Sequence, residues 1–425
     1  MIKRMVMLTA TLALLLISPS HSDTQKLMEN ALRVFVDCFS CDLDYIRENI
    51  PYVHYLRDWT EAEVHILITT RQTGSGGREY TLTFIGKKRF QNINDTLTYI
   101  SRNDATKDEI RKGLVNKLKL GLMRYVAHTP VADFLSIRYL KKVTTAQQID
   151  RWKNWIFSLR LNLFSNGEKM TRSISGFGNI SAKKITLDWK ILFQIYGNYN
   201  ERVFRYPGAR LTSISRGHGI RCSIVRSLTD HWSLGFFANY FRSSYRNIRW
   251  QVFGSPVLEF NVFPYSETTR RTLTISYALE PQAVTYVEET IFNKVREFLW
   301  KQSVLVGMSL QQPWGRLTLS VLGSQYLHDY SKHRLVLFSS ASWRVFKGLS
   351  VNIFGQYSRI RDQLSLPRAG ATPEEVLLRR KELATTYNYF LSFGISYAFG
   401  SLFSNVVNTR LDDRLDGDYS IRIRM

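Results

Sequence analysis

Tyr387-Asn-Tyr-Phe-Leu-Ser-Phe-Gly-Ile-Ser-Tyr-Ala-Phe399 is the stretch that decides the fold. Tyr387, Tyr389, Leu391, Phe393, Ile395, Tyr397 and Phe399 fall on one side, opposite Thr386, Asn388, Ser392, Gly394, Ser396 and Ala398. Successive side chains of a strand point to opposite faces. Large apolar groups against small or polar ones are the pattern of a strand with lipid on one side and a lumen on the other.

The same period of two recurs upstream. Trp155, Phe157, Leu159, Leu161 and Leu163 oppose Ile156, Ser158, Arg160, Asn162 and Phe164. Trp232, Leu234, Phe236, Ala238 and Tyr240 oppose Ser233, Gly235, Phe237, Asn239 and Phe241, and Leu273, Ile275, Tyr277 and Leu279 oppose Thr272, Thr274, Ser276 and Ala278. The alternation predicts twelve strands, near 154–165, 170–184, 188–205, 210–227, 232–246, 250–263, 270–280, 302–311, 316–327, 334–345, 350–361 and 385–399. Links after every second strand are short, as in Thr186–Asp188, Gln311–Gly315 and Phe346–Leu349. Several of the others are long, such as Glu280–Gln302 and Asp362–Ala384. Short turns at one end and long loops at the other suit a transmembrane barrel better than a soluble sandwich. The longest loop is expected to hold a helix, with Thr372 as N-cap, Pro373 at its first position, then Glu374 and Glu375.

Composition agrees with such a chain once its period is known. Over 425 residues it is 44% hydrophobic and 13% aromatic, with a mean hydropathy of −0.19. Membrane helices need about 20 nearly continuous apolar residues and are excluded by that average; a barrel strand needs only alternate ones. The formal charge is +23. Residues 23–150 carry +3 of it and residues 151–425 carry +18, so the two parts differ in kind.

Met1 to Ser22 reads as a secretory signal, with Lys3 and Arg4 before an apolar run from Met5 to Ile17 and small residues Ser20 and Ser22 before Asp23. Export in a Gram-negative bacterium puts residues 23–150 in the periplasm as an α+β domain, residues 151–400 in the outer membrane as an antiparallel β-barrel of about twelve strands, and leaves 401–425 as a tail. In that tail Tyr419, Ile421, Ile423 and Met425 alternate with polar residues. The domain change is expected near Lys142–Asp150.

Within 23–150, Leu32–Asp37 reads as a strand and Asp42–Ile50 as a helix. Glu63–Thr70 and Glu79–Gly86 read as a hairpin around Gln72–Arg78, and Asp108–Tyr125 as a helix with Ile110, Leu114, Leu118, Leu120 and Met123 near one stripe. The resulting βαββα order resembles the small periplasmic domains of the TolB amino-terminal type. That topology implies a docking module for a periplasmic protein partner.

Cys38 and Cys41 follow the first strand directly. Thioredoxins place a redox pair in such a context, but their Trp-Cys-Gly-Pro-Cys neighbourhood is missing, with Phe39 and Ser40 between these cysteines. Asp37, Asp42 and Asp44 crowd the site with negative charge, which raises thiol pKa values. A structural disulfide is the plainer reading in an oxidising compartment, with thiol oxidoreduction the alternative. Zinc lacks a second ligand pair, and Cys222 stands alone in a strand.

Ser392-Phe-Gly394-Ile-Ser-Tyr397-Ala-Phe399 resembles the β-signal of outer-membrane barrel proteins: a polar residue, Gly two further on, and two aromatics. The resemblance implies recognition by the barrel-assembly machinery through Ser392, Gly394, Tyr397 and Phe399, although 26 residues follow. The basic candidates for lumen or rim are Arg160, Arg316, Arg344, Arg270 and Arg271. They would favour an anion in the lumen, or pair with lipid phosphates and lipopolysaccharide at the rim.

No catalytic set, cofactor or metal is expected. None of the eight His lies in H-E-x-x-H. A phospholipase-like arrangement would need His218 with Ser213 or Ser215 on one outward face. Nucleic acid is a poor partner for an exported chain lacking a nucleic-acid motif. The expected function is a pore or an envelope scaffold or assembly component, with a surface-exposed binding or adhesive protein as the alternative.

Overall fold

The computed structural model describes residues 30–74, 76–137, 152–206, 209–369 and 382–401. The signal segment, the domain change near Lys142–Asp150, the helix at Thr372–Glu375 and the tail from 402 onward lie outside the described residues.

The amino-terminal part is a mixed sheet in the order β2-β1-β3-β4-β5. Its strands are β1 (Arg33–Asp37), β2 (His54–Tyr55), β3 (Val64–Gln72), β4 (Arg78–Gly86) and β5 (Asn94–Ser101). Strand β1 lies parallel to β2 and β3, and β3, β4 and β5 run antiparallel. Helices α1 (Leu43–Asn49) and α2 (Lys107–Val126) cover one face. Helix α2 starts on a capping box between Thr106 and Glu109, which satisfies two otherwise orphaned donors. Its buried stripe is Leu114, Val115, Leu118, Leu122 and Tyr125. Leu120 is exposed, because at 3.6 residues per turn it falls opposite the middle of that stripe. Gly121 is required by a close approach: a Cβ there would lie 2.1 Å from the Phe84 ring.

The expected βαββα order lacks two strands found here. Strand β2 is only two residues long. Strand β5 sits at the sheet edge, paired only with β4, and its apolar alternation is short, with Leu97 and Tyr99 packed on the core between Thr96 and Thr98.

The second part is a twelve-stranded antiparallel meander, β6 to β17, each strand paired to its chain neighbours. It starts with β6 (Trp155–Gly167), β7 (Thr171–Ile185), β8 (Trp189–Tyr206), β9 (Ala209–Ser227), β10 (Trp232–Ser243) and β11 (Ile248–Asn261). It continues with β12 (Arg271–Tyr286), β13 (Arg296–Gln312), β14 (Gly315–Tyr326), β15 (His333–Phe346), β16 (Leu349–Ile360) and β17 (Tyr387–Tyr397). The expected long link Glu280–Gln302 is mostly strand, since β12 runs to Tyr286 and β13 begins at Arg296. Within the ladder Pro281 pairs with Trp300. The short-and-long rule for links is also looser than expected. Residues 168–170 and 244–247 are short links on the side that carries the long ones.

Burial in this sheet is reversed relative to a soluble protein. Ser213, Ser223, Ser233, Ser255, Asn261, Gln282 and Ser358 are buried. The large apolar groups that alternate with them stay exposed, as with Ile275 at 44% and Val304 at 43%. The polar face is therefore the inner one and the apolar face the outer one, the arrangement that lipid requires. The inner face is less polar than the alternation implied. Phe338 and Phe354 share it with Ser340 and Gln356 by register, and Phe390 continues it on β17.

Candidate functional site

The amino-terminal sheet meets the meander through the face that its helices leave free. On β3, Val64, Ile66 and Ile68 face the helical core, while His65, Leu67 and Thr69 lie on the other side and are equally buried. Along this junction the domain reaches several turns of the meander. A Cβ on Gly74, in the β3–β4 hairpin, would lie 2.8 Å from that of Ile185 at the end of β7. Lys347, in the β15–β16 turn, places Nζ 3.4 Å from Glu61 Oε1. One small domain thus touches strand ends from β7 to β16, at the end where those turns gather.

The centre of the junction is the segment between β1 and α1. Strand β1 ends at Asp37, Cys38 and Cys41 are bonded as a disulfide, and Asp42 caps α1 by accepting from Tyr45 N at 3.0 Å. Arg111 of α2 reaches the same Asp42 at 3.1 Å. Both ends of this loop are therefore held, and Phe39 stands out of it, 88% exposed.

Asp37 is held by both parts of the chain. Arg344 of β15 donates Nη1 to Asp37 Oδ2 at 2.6 Å and Nη2 to Oδ1 at 2.8 Å, a bidentate fork that suits a guanidinium and a carboxylate. Arg344 Nη1 also donates to the Pro313 carbonyl at 3.1 Å, and the guanidinium lies 5.2 Å from the Phe35 ring. His65 Nε2 lies 3.4 Å from Asp37 Oδ2. Burial pushes the Asp37 carboxyl up, but the hydrogen bonds and charges of Arg344 and His65 outweigh it and bring the pKa down to about 2. Burial lowers the His65 pKa, against the opposing pull of Asp37. Lys87 lies over Trp59 at 3.8 Å; burial first, offset in part by Asp58, holds its pKa down at about 8.

The sequence-derived candidates separate into groups. Arg344 and Arg316 converge on the disulfide loop, Arg316 with its guanidinium 5.3 Å from the Phe39 ring. Arg270 and Arg271 lie apart from them, at a crevice of about 650 Å³ between β3–β5 and the β11–β12 link, with Arg71 and Thr83. Arg271 pairs there with Glu267. Arg160 is on β6 opposite Asn179, away from both groups. Ser392, Gly394 and Tyr397 are on β17, with Ser392 and Gly394 on the inner face, and the Tyr397 ring lies 5.5 Å from that of Phe399. Cys222 is a free, half-buried cysteine in β9.

His218 is separated from Ser213 and Ser215 by an odd number of positions on the unbroken ladder of β9. It therefore projects from the opposite face, and the phospholipase-like arrangement is not formed.

Sequence reading missed the far end of the meander. Leu364, from the β16–β17 link, packs inward with Ile248, Val284, Tyr286, Leu299 and Tyr326. Asn247 Nδ2 donates to the carbonyls of Glu288 and Ser365 at 3.0 Å each. Asn247 has a φ of 58°, which Asn tolerates better than most residues; that was the signal available. The link is thus tied across the opening opposite the amino-terminal domain.

The chain matches no protein-family model and no curated protein sequence. Among solved structures, the NanC porin in a rhombohedral crystal form matches over 57% of this chain and 99% of its own. The identity is 9% and the TM-score is 0.27.

Proposed function

We propose that this chain is a Gram-negative outer-membrane β-barrel protein that works as a gated pore, with residues 23–150 in the periplasm as the gate. One observation carries the reading: a domain with its own core is latched by Asp37 and Arg344 onto one end of a sheet whose polar face is inside and whose apolar face is outside. A lumen filled with polar groups conducts when open, and a domain seated on its mouth controls access. In this reading Arg270 and Arg271 lie on the periplasmic rim beside lipid phosphates. Ser392, Gly394, Tyr397 and Phe399 present β17 to the assembly machinery.

Planar-bilayer conductance of the full chain tests this. Arg344→Ala should raise the open fraction over the wild type, and equal, low conductance of both would sink the gate. The link tied by Leu364 and Asn247 favours a second reading, an envelope scaffold or assembly component whose lumen stays shut at both ends. Absence of conductance in every variant, with a periplasmic protein retained on the immobilised full chain, supports it.

A further inference from the structure

Under the disulfide loop, against the inner face of β14 to β17, lies a cavity of about 480 Å³, within the range of small-molecule sites. Two guanidinium groups line it. Arg344 is committed to Asp37. Among the described residues the Arg316 side chain has no carboxylate partner, and its guanidinium lies over the Phe39 ring. The remaining polar lining is uncharged, with Ser340, Ser342, Asn352 and Ser392.

One wall is aromatic. Phe354 lines the cavity and stacks edge to face with both Phe338 and Phe390, with ring centroids 5.5 and 5.6 Å apart. Phe354 keeps 37% of its surface exposed although it is on the inner face. Phe39 faces the same space from the loop.

An arginine with no carboxylate partner among the described residues, hydroxyl and amide donors, and aromatic surfaces on two sides define a ligand chemistry. Against the one guanidinium of this lining that is unpaired among the described residues, a dianion would leave one charge unmatched, and a neutral apolar molecule would leave that guanidinium without a partner. We propose that this cavity binds a monoanionic organic acid with an apolar body. Its carboxylate or sulfonate sits on Arg316, and its body lies between Phe39 and Phe354. The proposal rests on the docking described under the proposed function, because the loop supplies one wall.

The test uses the full chain in non-ionic micelles, with 1-naphthoate as fluorescent probe and neutral 1-naphthamide as its control. Wild type should bind naphthoate more tightly than naphthamide. Arg316→Gln should weaken naphthoate about tenfold or more, the scale of a lost charge-assisted hydrogen bond, and leave naphthamide unchanged. Arg316→Lys should recover part of the loss, and Phe39→Ala should weaken both probes. Equal binding of the two probes, or naphthoate binding untouched by Arg316→Gln, overturns the proposal, and so does indifference to Phe39→Ala. Failure of the gate reads out separately, since Arg344→Ala can leave conductance flat while naphthoate binding still depends on Arg316.

Discussion

Asp37 and Arg344 stand 307 positions apart in the chain and share two hydrogen bonds of 2.6 and 2.8 Å. The pair joins the last residue of a strand in one domain to a barrel strand in the other, beside a disulfide. Its side chains are 17% and 27% exposed, so water screens it only in part. Removing one partner leaves the other poorly solvated. Arg344→Ala should therefore loosen docking by about 1–3 kcal/mol. Hydrogen exchange should rise in residues 33–49 and in β3 while the barrel strands keep their protection. The double variant with Asp37→Ala should cost less than the two single effects added together; strict additivity would mean that the pair is uncoupled.

Acid should undock the domain. The Asp37 pKa is lowered from 3.8 to about 2, so its contribution is complete above about 4 and is lost as pH falls through 2. The shift corresponds to about 2 kcal/mol. His65 acts with the same sign: its pKa is lowered from 6.5, so the unfolded state takes up a proton first and stability falls with pH below that value. Domain undocking followed by exchange or proteolysis should therefore have its main acid transition between about 4 and 2. Asp37→Asn should flatten that transition, and an unchanged curve would remove Asp37 from the account.

The disulfide holds Phe39 and Asp37 in place. Closing so short a loop removes about 2 kcal/mol of unfolded-chain entropy on the simple chain model. Cys38→Ser with Cys41→Ser, or reduction by a dithiol, should lower the melting temperature of the amino-terminal domain and weaken its docking. Barrel strands should be unaffected. Calorimetry or exchange that shows no change in the domain would argue against a structural role.

Position on the two faces should decide the effect of a charge. Val321 pairs laterally with Val306 and Leu337, whereas Ser320 pairs with Gly307 and Phe338. Val321→Arg puts a cation on the lipid side, at a cost of about 2–4 kcal/mol near the bilayer midplane. Ser320→Arg projects into the lumen and should be tolerated. Folding into vesicles, read by heat-modifiable migration, should separate the two variants, and equal folding would overturn the assignment of faces.

How far the sequence discloses this architecture depends on how local each cause is. The strands are legible because a polar inner face and an apolar outer face impose a period of two on the chain, visible from Trp155 to Phe399. Strand β5 is not, since Thr96 and Thr98 are small, polar and at an edge. The Asp37–Arg344 latch is legible only in half: Asp37 beside a C-x-x-C is conspicuous, but one arginine among many gives no sign of its partner. Leu364 looked like a loop residue, and only the folded chain brings it over Val284 and Tyr326.

The two ends of the meander offer the sharpest remaining test. Strands β6 and β17 have no ladder partner on their outer sides among the described residues. Leu159 and Leu161 on β6 are 78% and 79% exposed, and Tyr389 and Leu391 on β17 are 71% and 69% exposed. In lipid each unpaired backbone group costs several kcal/mol, so a bare strand edge is not stable there. Eleven antiparallel ladders separate the two strands, so β6 and β17 run antiparallel to each other and can pair directly. In bilayer vesicles their amides should exchange as slowly as those of β12 and β13. Fast exchange confined to β6 and β17 in vesicles would show instead that the seam stays open in the membrane.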